Sequence, residues 1–275
     1  MAQGKILTVQ DISCFGKCSM TVALPILSAC GHETSVLPTA VLSTHTGGFG
    51  PVHKRDLTDD FPEILAHWKR LEMCFETVYV GYLGSPAQVE FVKEIFQSMV
   101  ADSGVRVLDP VMADNGKLYS GITPEYVRAM KTLCTAADVI IPNITEACLL
   151  TDTPYPSEVT KEFVQQLAEK LEKLCPRFVL TGVGYCPEET GVVLGQNGRV
   201  WHYAQKKISG QYHGTGDIFS ASFIGAWRKG KTMEEAAQIA AEYTASCIKF
   251  TSENSNISGE IQFESSLPKL INELL

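Results

Sequence analysis

Three segments of this chain carry groups suited to phosphoryl chemistry, one after a β-hairpin and polar loop and two just beyond short apolar runs. In His213-Gly214-Thr215-Gly216-Asp217, the glycines let the backbone approach a ligand, and the apolar helix pattern of Ile218, Phe219, Ala221 and Phe223 begins at once. The free N–H groups of a helix start form an anion site. Asp217 in the first turn is placed to take a proton from an attacking hydroxyl while those N–H groups hold the phosphoryl group in transfer. The same five residues also read as a Gly-rich turn with an Asp cap.

The second segment, Leu108 to Gly116, is a strand ending in a turn that carries Asp109 and Asp114; the third, Pro142-Asn143-Ile144-Thr145-Glu146, puts Glu146 in the first turn of a helix. Mg²⁺ is typically bound by one or two carboxylates, water and substrate phosphates, so Asp109, Asp114 and Glu146 are suitable oxygen ligands. Each alone reads as a turn or cap residue. At successive strand ends, the three together predict an Mg-ATP site. Neither the P-loop signature nor the dinucleotide-binding glycine fingerprint occurs, so the phosphate site is of another kind.

The elements that must position these groups alternate along the whole chain. Lys5 to Val9 reads as a buried strand, Ser19 to Cys30 as a helix stopped by Gly31, and Thr34 to Leu42 as β-rich. A helix with Phe61, Ile64, Leu65, Trp68 and Leu71 on one face precedes the strand Thr77–Val80. Ser85-Pro86 caps a helix reaching Met99, followed by a strand at Val105–Leu108. Further elements are a helix near Pro124–Cys134, a strand at Val139–Ile141, a short helix from Thr145, a long one near Thr160–Leu174 and a strand at Phe178–Leu180. Gly191–Leu194 and Arg199–Tyr203, joined through Asn197-Gly198, form a β-hairpin. Helical patterns start at Asp217, Met233 and Ser265. Strands alternating with helices predict an α/β fold with a mostly parallel sheet covered on both faces and ligands at the C-terminal strand ends.

The 275 residues suffice for one large α/β domain or two small ones, and no linker or repeat divides them, so a single domain over 1–275 is expected. Twenty-three Lys and Arg against 31 Asp and Glu give a net charge of −8, which disfavours nucleic acid or an anionic membrane as partner. Nine cysteines without a C-x-x-C pair point to reduced cytosol. Seven of them read as small core residues, leaving Cys14 and Cys18 in a polar segment. Met1 to Gly4 leads directly into the first strand, and no apolar run has the length of a signal peptide or membrane span, so a cytoplasmic protein is expected.

Asn143-Ile144-Thr145-Glu146 and Gly214-Thr215-Gly216-Asp217 resemble the N-x-x-E and glycine-rich G-D motifs of the ribokinase-like superfamily of small-molecule kinases. Ser43-Thr44-His45-Thr46-Gly47, Gly81-Tyr82-Leu83-Gly84-Ser85 and Asp109-Pro110-Val111-Met112 resemble its vitamin B6 kinase branch. The likeness runs from the first strand to at least Asp217. It implies a three-layer α/β/α fold, ATP with Mg²⁺, and phosphorylation of the 5′-hydroxymethyl group of pyridoxal, pyridoxamine or pyridoxine. Asp217 would then be the base, with Gly214, Thr215 and Gly216 as the anion hole. Asp109 and Glu146 would act on Mg²⁺, directly or through water, beside Asp114. Asn143 and Thr181 would lie near ATP. Asp11, Cys18, Leu42, Thr46 and Tyr82 would surround the ring, and Tyr119 would close over it. A homodimer is the family's common state.

Asp11 stands where B6 kinases commonly have Ser; a carboxylate there could pair with a protonated pyridine nitrogen or an amine, which favours pyridoxamine. Hydroxymethylpyrimidine kinases usually carry Cys at the place of Asp217 and a Gly-rich segment after the first strand, and neither is present here. The alternatives are a pyrimidine or sugar kinase of the same superfamily, or a vitamin or nucleotide binder without turnover. His45 and His213 read as residues bonded to backbone, and His32, His53, His67 and His202 as unclustered, so no zinc site is expected. Lys54 to Asp60 reads as a solvated charged run, and Gln205 to Tyr212 as a polar loop or part of a lid.

Overall fold

The computed structural model describes residues 5–254 and 260–275, so the expectation for Met1 to Gly4 falls outside the described residues. In chain order the elements are β1 (Lys5–Ser13), α1 (Met20–Ala29), β2 (Glu33–Leu42), β3 (Lys54–Asp56), α2 (Phe61–Arg70), β4 (Phe75–Val80), α3 (Pro86–Ser98), β5 (Val100–Leu108), β6 (Ala113–Asp114), β7 (Lys117–Leu118), α4 (Pro124–Cys134), β8 (Val139–Ile140), α5 (Ile144–Leu150), α6 (Lys161–Leu174), β9 (Arg177–Thr181), β10 (Glu189–Gln196), β11 (Arg199–Lys206), α7 (Thr215–Arg228), α8 (Met233–Asn254) and α9 (Leu267–Leu274). Nine strands form one sheet in the order β11-β10-β9-β8-β5-β4-β1-β2-β3. The six from β9 to β2 in that order are parallel; β10, β11 and β3 are antiparallel additions at the two edges.

Side chains alternate across each strand and divide the core in two. Leu7, Val9, Val78, Val80 and Leu108 pack under α2 to α6, with Phe61, Val92, Met130 and Leu167. Ile6, Tyr79, Val107 and Val139 pack on the other face with Ile26, Phe223, Ala237 and Leu270 of α1, α7, α8 and α9. The result is the expected α/β/α arrangement. From β1 the chain moves outward to β2, then returns to β4 on the opposite side of β1, so the strand order reverses at β1. A crevice opens at the C-terminal ends there, where open α/β sheets bind ligands.

Local signals set four of the helix starts: the side chains of Ser85, Thr123, Asn143 and Thr160 each accept the cap bond at their helix. Asn197 (φ 53°) and Gly198 (φ 74°) make the predicted hairpin turn. Several edges differ from expectation. Strand β5 begins five residues before the expected start, because its first half, Val100 to Gly104, is only partly buried and carries no apolar run to mark it. Residues 54–56, read as a solvated run, form an edge strand pairing with Ala40–Leu42. Gln205 and Lys206, read as loop, continue β11, and the last helix starts at Leu267 after one turn of 3₁₀ helix. Cys74 and Cys186 are exposed rather than part of the core. No helix among the described residues is long and apolar enough to cross a membrane.

Candidate active site

A cavity of about 450 Å³ lies in this crevice, and every site residue singled out in the sequence lines it. Asp11 and Cys18 come from β1 and the loop after it, Leu42 and Thr46 from β2 and its loop, and Tyr82 from the β4 end. Asp109, Asp114 and Tyr119 follow β5, Asn143 and Glu146 open α5, Thr181 ends β9, and Gly214 to Asp217 open α7.

Helix α7 starts without a side-chain cap: Gly214 is left-handed (φ 79°), and the first intrahelical bond is Ile218 N–H to Gly214 O at 3.0 Å. The N–H groups of Thr215, Gly216 and Asp217 therefore have no helical partner and mark the positive end of the helix dipole. Glycine is demanded at 214 twice over, by its φ and because a Cβ would stand 2.1 Å from Lys17 O; at Gly216 a Cβ would meet nothing within 4 Å. The first contact locks the loop after β1 to the helix. Gly216 faces open space in the cavity.

Among the described residues the lining holds five carboxylates, Asp11, Asp109, Asp114, Glu146 and Asp217, and neither Lys nor Arg. Burial pushes both Asp109 and Asp217 up to about 7, and the charges of Asp109 and Asp11 add to the rise at Asp217 while its bond from the Ser19 backbone opposes it. Burial also raises Asp11, against hydrogen bonds from Ser19 and Ser13 and the charge of Lys54; Glu146 is raised by burial and by Asp109. The Cys18 thiol is pushed up by burial and by the charges of Asp217, Asp11 and Glu260, which disfavours the thiolate.

Several groups have structural partners. Glu146 completes a capping box with Asn143: Asn143 Oδ1 accepts from Glu146 N–H, and Glu146 Oε2 accepts from Asn143 N–H, both at 2.9 Å. Its Oε1 accepts from Met112 N–H (3.0 Å) and Ala113 N–H (3.5 Å), while Asn143 Nδ2 donates to Ala113 O. The pair thus holds the loop that carries Asp109 and Asp114. Asp114 accepts from the Asn115 backbone and side chain, and Thr181 Oγ1 donates to Pro142 O.

Asp109 Oδ2 accepts from Ser220 Oγ at 2.7 Å, and its other oxygen has no hydrogen bond among the described residues. Sequence reading missed Ser220, although its position three residues after Asp217 puts it on the same face of α7. It also missed Lys54, whose Nζ donates to Tyr82 OH at 3.2 Å from the unexpected edge strand. His45, expected to bond backbone, does so through Nδ1 but also meets the carboxylate of Glu260.

The sequence profile described as phosphomethylpyrimidine kinase matches residues 28–262. The chain belongs to that family. Among its relatives, the pyridoxine/pyridoxal/pyridoxamine kinase of Bordetella pertussis is 28% identical, over 90% of this chain and 89% of that protein. A Bacteroides thetaiotaomicron protein classed with the phosphomethylpyrimidine kinases, solved in a crystal form with pyridoxal, superposes with a TM-score of 0.92 at 35% identity, covering 98% of this chain and 96% of its own. The pyridoxal kinase of Lactobacillus plantarum superposes with a TM-score of 0.90 at 30% identity, over 98% and 97%. The resemblance to the vitamin B6 kinases of the ribokinase-like superfamily, and the fold it implied, are thereby supported across the chain.

Proposed function

We propose that this family member is an ATP-dependent pyridoxal kinase, transferring the γ-phosphoryl group to the 5′-hydroxymethyl group of pyridoxal, pyridoxamine or pyridoxine. The observation that carries the reading is the start of α7, where three N–H groups without a partner among the described residues and the Asp217 carboxylate share the crevice at the strand reversal. The N–H groups hold the phosphoryl oxygens. Asp217 accepts the proton of the substrate hydroxyl as its oxygen bonds to the γ-phosphorus, the bond to the β-phosphate oxygen breaks, and ADP leaves.

Five carboxylates and no lining Lys or Arg make a poor site for a polyphosphate alone, so the donor set calls for a hard cation. Among the described residues no three His, Cys, Asp or Glu converge to hold a metal by themselves, so Asp109, Asp114 and Glu146 do not form a three-carboxylate cluster. Asp109 would bind it through its free oxygen, with Asp114 and Glu146 acting through water, because Glu146 already accepts three backbone N–H groups. Mg²⁺ would supply neutralisation of the charge developing on the phosphates. Asn143 and Thr181 shape the nucleotide end, and Asp11, Cys18, Leu42, Thr46, Tyr82 and Tyr119 the ring end.

The family's description favours one second reading, phosphorylation of a hydroxymethylpyrimidine. ADP release with Mg-ATP is measured on pyridoxal, pyridoxamine, pyridoxine, hydroxymethylpyrimidine and ribose. Turnover on a vitamer is expected, and Asp217→Asn should lower kcat by about 10²–10⁴ with ATP binding retained. Turnover on the pyrimidine alone would replace the reading, and unchanged kcat in the variant would remove Asp217 from the mechanism.

A further inference from the structure

Glu260 lies 215 positions from His45 in sequence, yet its Oε1 is 2.6 Å from His45 Nε2. Both residues are buried, with 5% of His45 and 8% of Glu260 exposed. The hydrogen bonds around the ring fix its protonation. His45 Nδ1 accepts from Gly47 N–H at 3.1 Å, so the proton sits on Nε2 and is donated to Glu260. Glu260 Oε2 accepts a second bond, from Lys17 N–H at 2.9 Å. Two donors converge on the two oxygens of one carboxylate. An amide could accept only one of them.

These contacts join segments that never meet in sequence. Lys17 belongs to the loop after β1 and touches Gly214 through its carbonyl; His45 and Gly47 belong to the loop after β2, which also carries Thr46. The ring of His213 lies 4.9 Å from that of His45 and against Gly47, where a Cβ would come within 2.3 Å of it. Residue 260 also pairs with His213 as an isolated β-bridge. Gly16, between these loops, would bring a Cβ within 2.3 Å of His45 and 3.3 Å of Glu260 Oε2. Glu260 itself is not among the cavity-lining residues, whereas His45, Thr46, Gly47 and His213 are.

We propose that Glu260 is a positioning residue for the ring end of the cavity, holding the Thr46 loop through His45 in register with the start of α7. His45 is then a fixed strut with both nitrogens occupied and takes no proton from substrate. The inference rests on the reading that this end of the cavity takes the aromatic ring of the acceptor substrate.

The test compares Glu260→Gln, His45→Phe and the double variant in the full chain. Glu260→Gln is expected to raise KM for the ring substrate about tenfold, as loss of a hydrogen bond to a charged group does, while KM for ATP stays within about twofold. Binding of pyridoxal to the ATP-free protein should weaken by the same factor, and the double variant should be no worse than the poorer single one, because both act through one contact. Additive losses in the double variant, or an equal rise in KM for ATP, overturn the proposal. If the wild-type protein phosphorylates hydroxymethylpyrimidine and not pyridoxal, the pyridoxal reading fails, and the same KM split measured on the pyrimidine decides the role of Glu260.

Discussion

Ser220 Oγ donates to Asp109 Oδ2 across 2.7 Å in the buried floor of the cavity, tying the end of β5 to the helix that carries Asp217. The carboxylate proposed for the metal and the one proposed for the proton are thus set relative to each other by one side chain. Removing the hydroxyl leaves Asp109 free to rotate and without its buried donor. Ser220→Ala is expected to lower kcat/KM about tenfold, with the loss concentrated in an increased Mg²⁺ requirement. Titrating activity against Mg²⁺ at fixed ATP checks this; an unchanged Mg²⁺ midpoint would show that Asp109 needs no such anchor.

The raised pKa of Asp217 has a sign that can be read in a pH profile. Asp217 must be ionised to accept a proton, and it is held at about 7, so kcat/KM with both substrates subsaturating should fall as pH drops below about 7. The charge of Asp109 contributes to that elevation, so Asp109→Asn should move the acidic limb to lower pH even as it lowers the plateau. A limb that stays in place would mean that Asp109 does not act on the titrating group.

Two glycines of the same turn should separate folding from binding. Gly214→Ala places a Cβ at positive φ and 2.1 Å from a backbone carbonyl, so a stability loss of about 1–3 kcal/mol or more is expected, visible as a lower Tm. Gly216→Ala meets nothing within 4 Å and adds a better helix former, so Tm should hold or rise. Its methyl instead enters the cavity lining in the first turn of α7, and ATP affinity measured by calorimetry should fall about tenfold or more. Unaltered ATP binding in Gly216→Ala would place the phosphates elsewhere.

Asp11 is buried, accepts from Ser13 Oγ at 3.2 Å, and faces the positive charge of Lys54, which works against the rise that burial causes. A carboxylate at that place favours a substrate carrying a cationic nitrogen, so Asp11→Ser should shift the ratio of kcat/KM between pyridoxamine and pyridoxal towards pyridoxal several-fold. Competition assays with the two vitamers give the ratio directly. No change in it would assign Asp11 to loop structure alone, through Ser13 and Ser19.

The sequence by itself determined what depends on neighbours along the chain. Apolar period marked most strands and helices, Ser85 was legible as a cap, and the Gly-Thr-Gly-Asp run marked a helix start, with the choice between an Asp cap and an open anion site left to the structure. Those features are legible because a helix cap or a turn is decided within a few residues. The tertiary structure alone decided the reversal of strand order at β1, the burial that lifts Asp109 and Asp217 to about 7, and the contacts of Lys54 with Tyr82 and of Glu260 with His45. Lys54 opens a charged run and Glu260 stands outside any apolar period, so nothing near them in sequence distinguishes them from solvated surface. Their partners are 28 and 215 positions away, so only the closing of the sheet and the return of the C-terminal segment could bring them to the site.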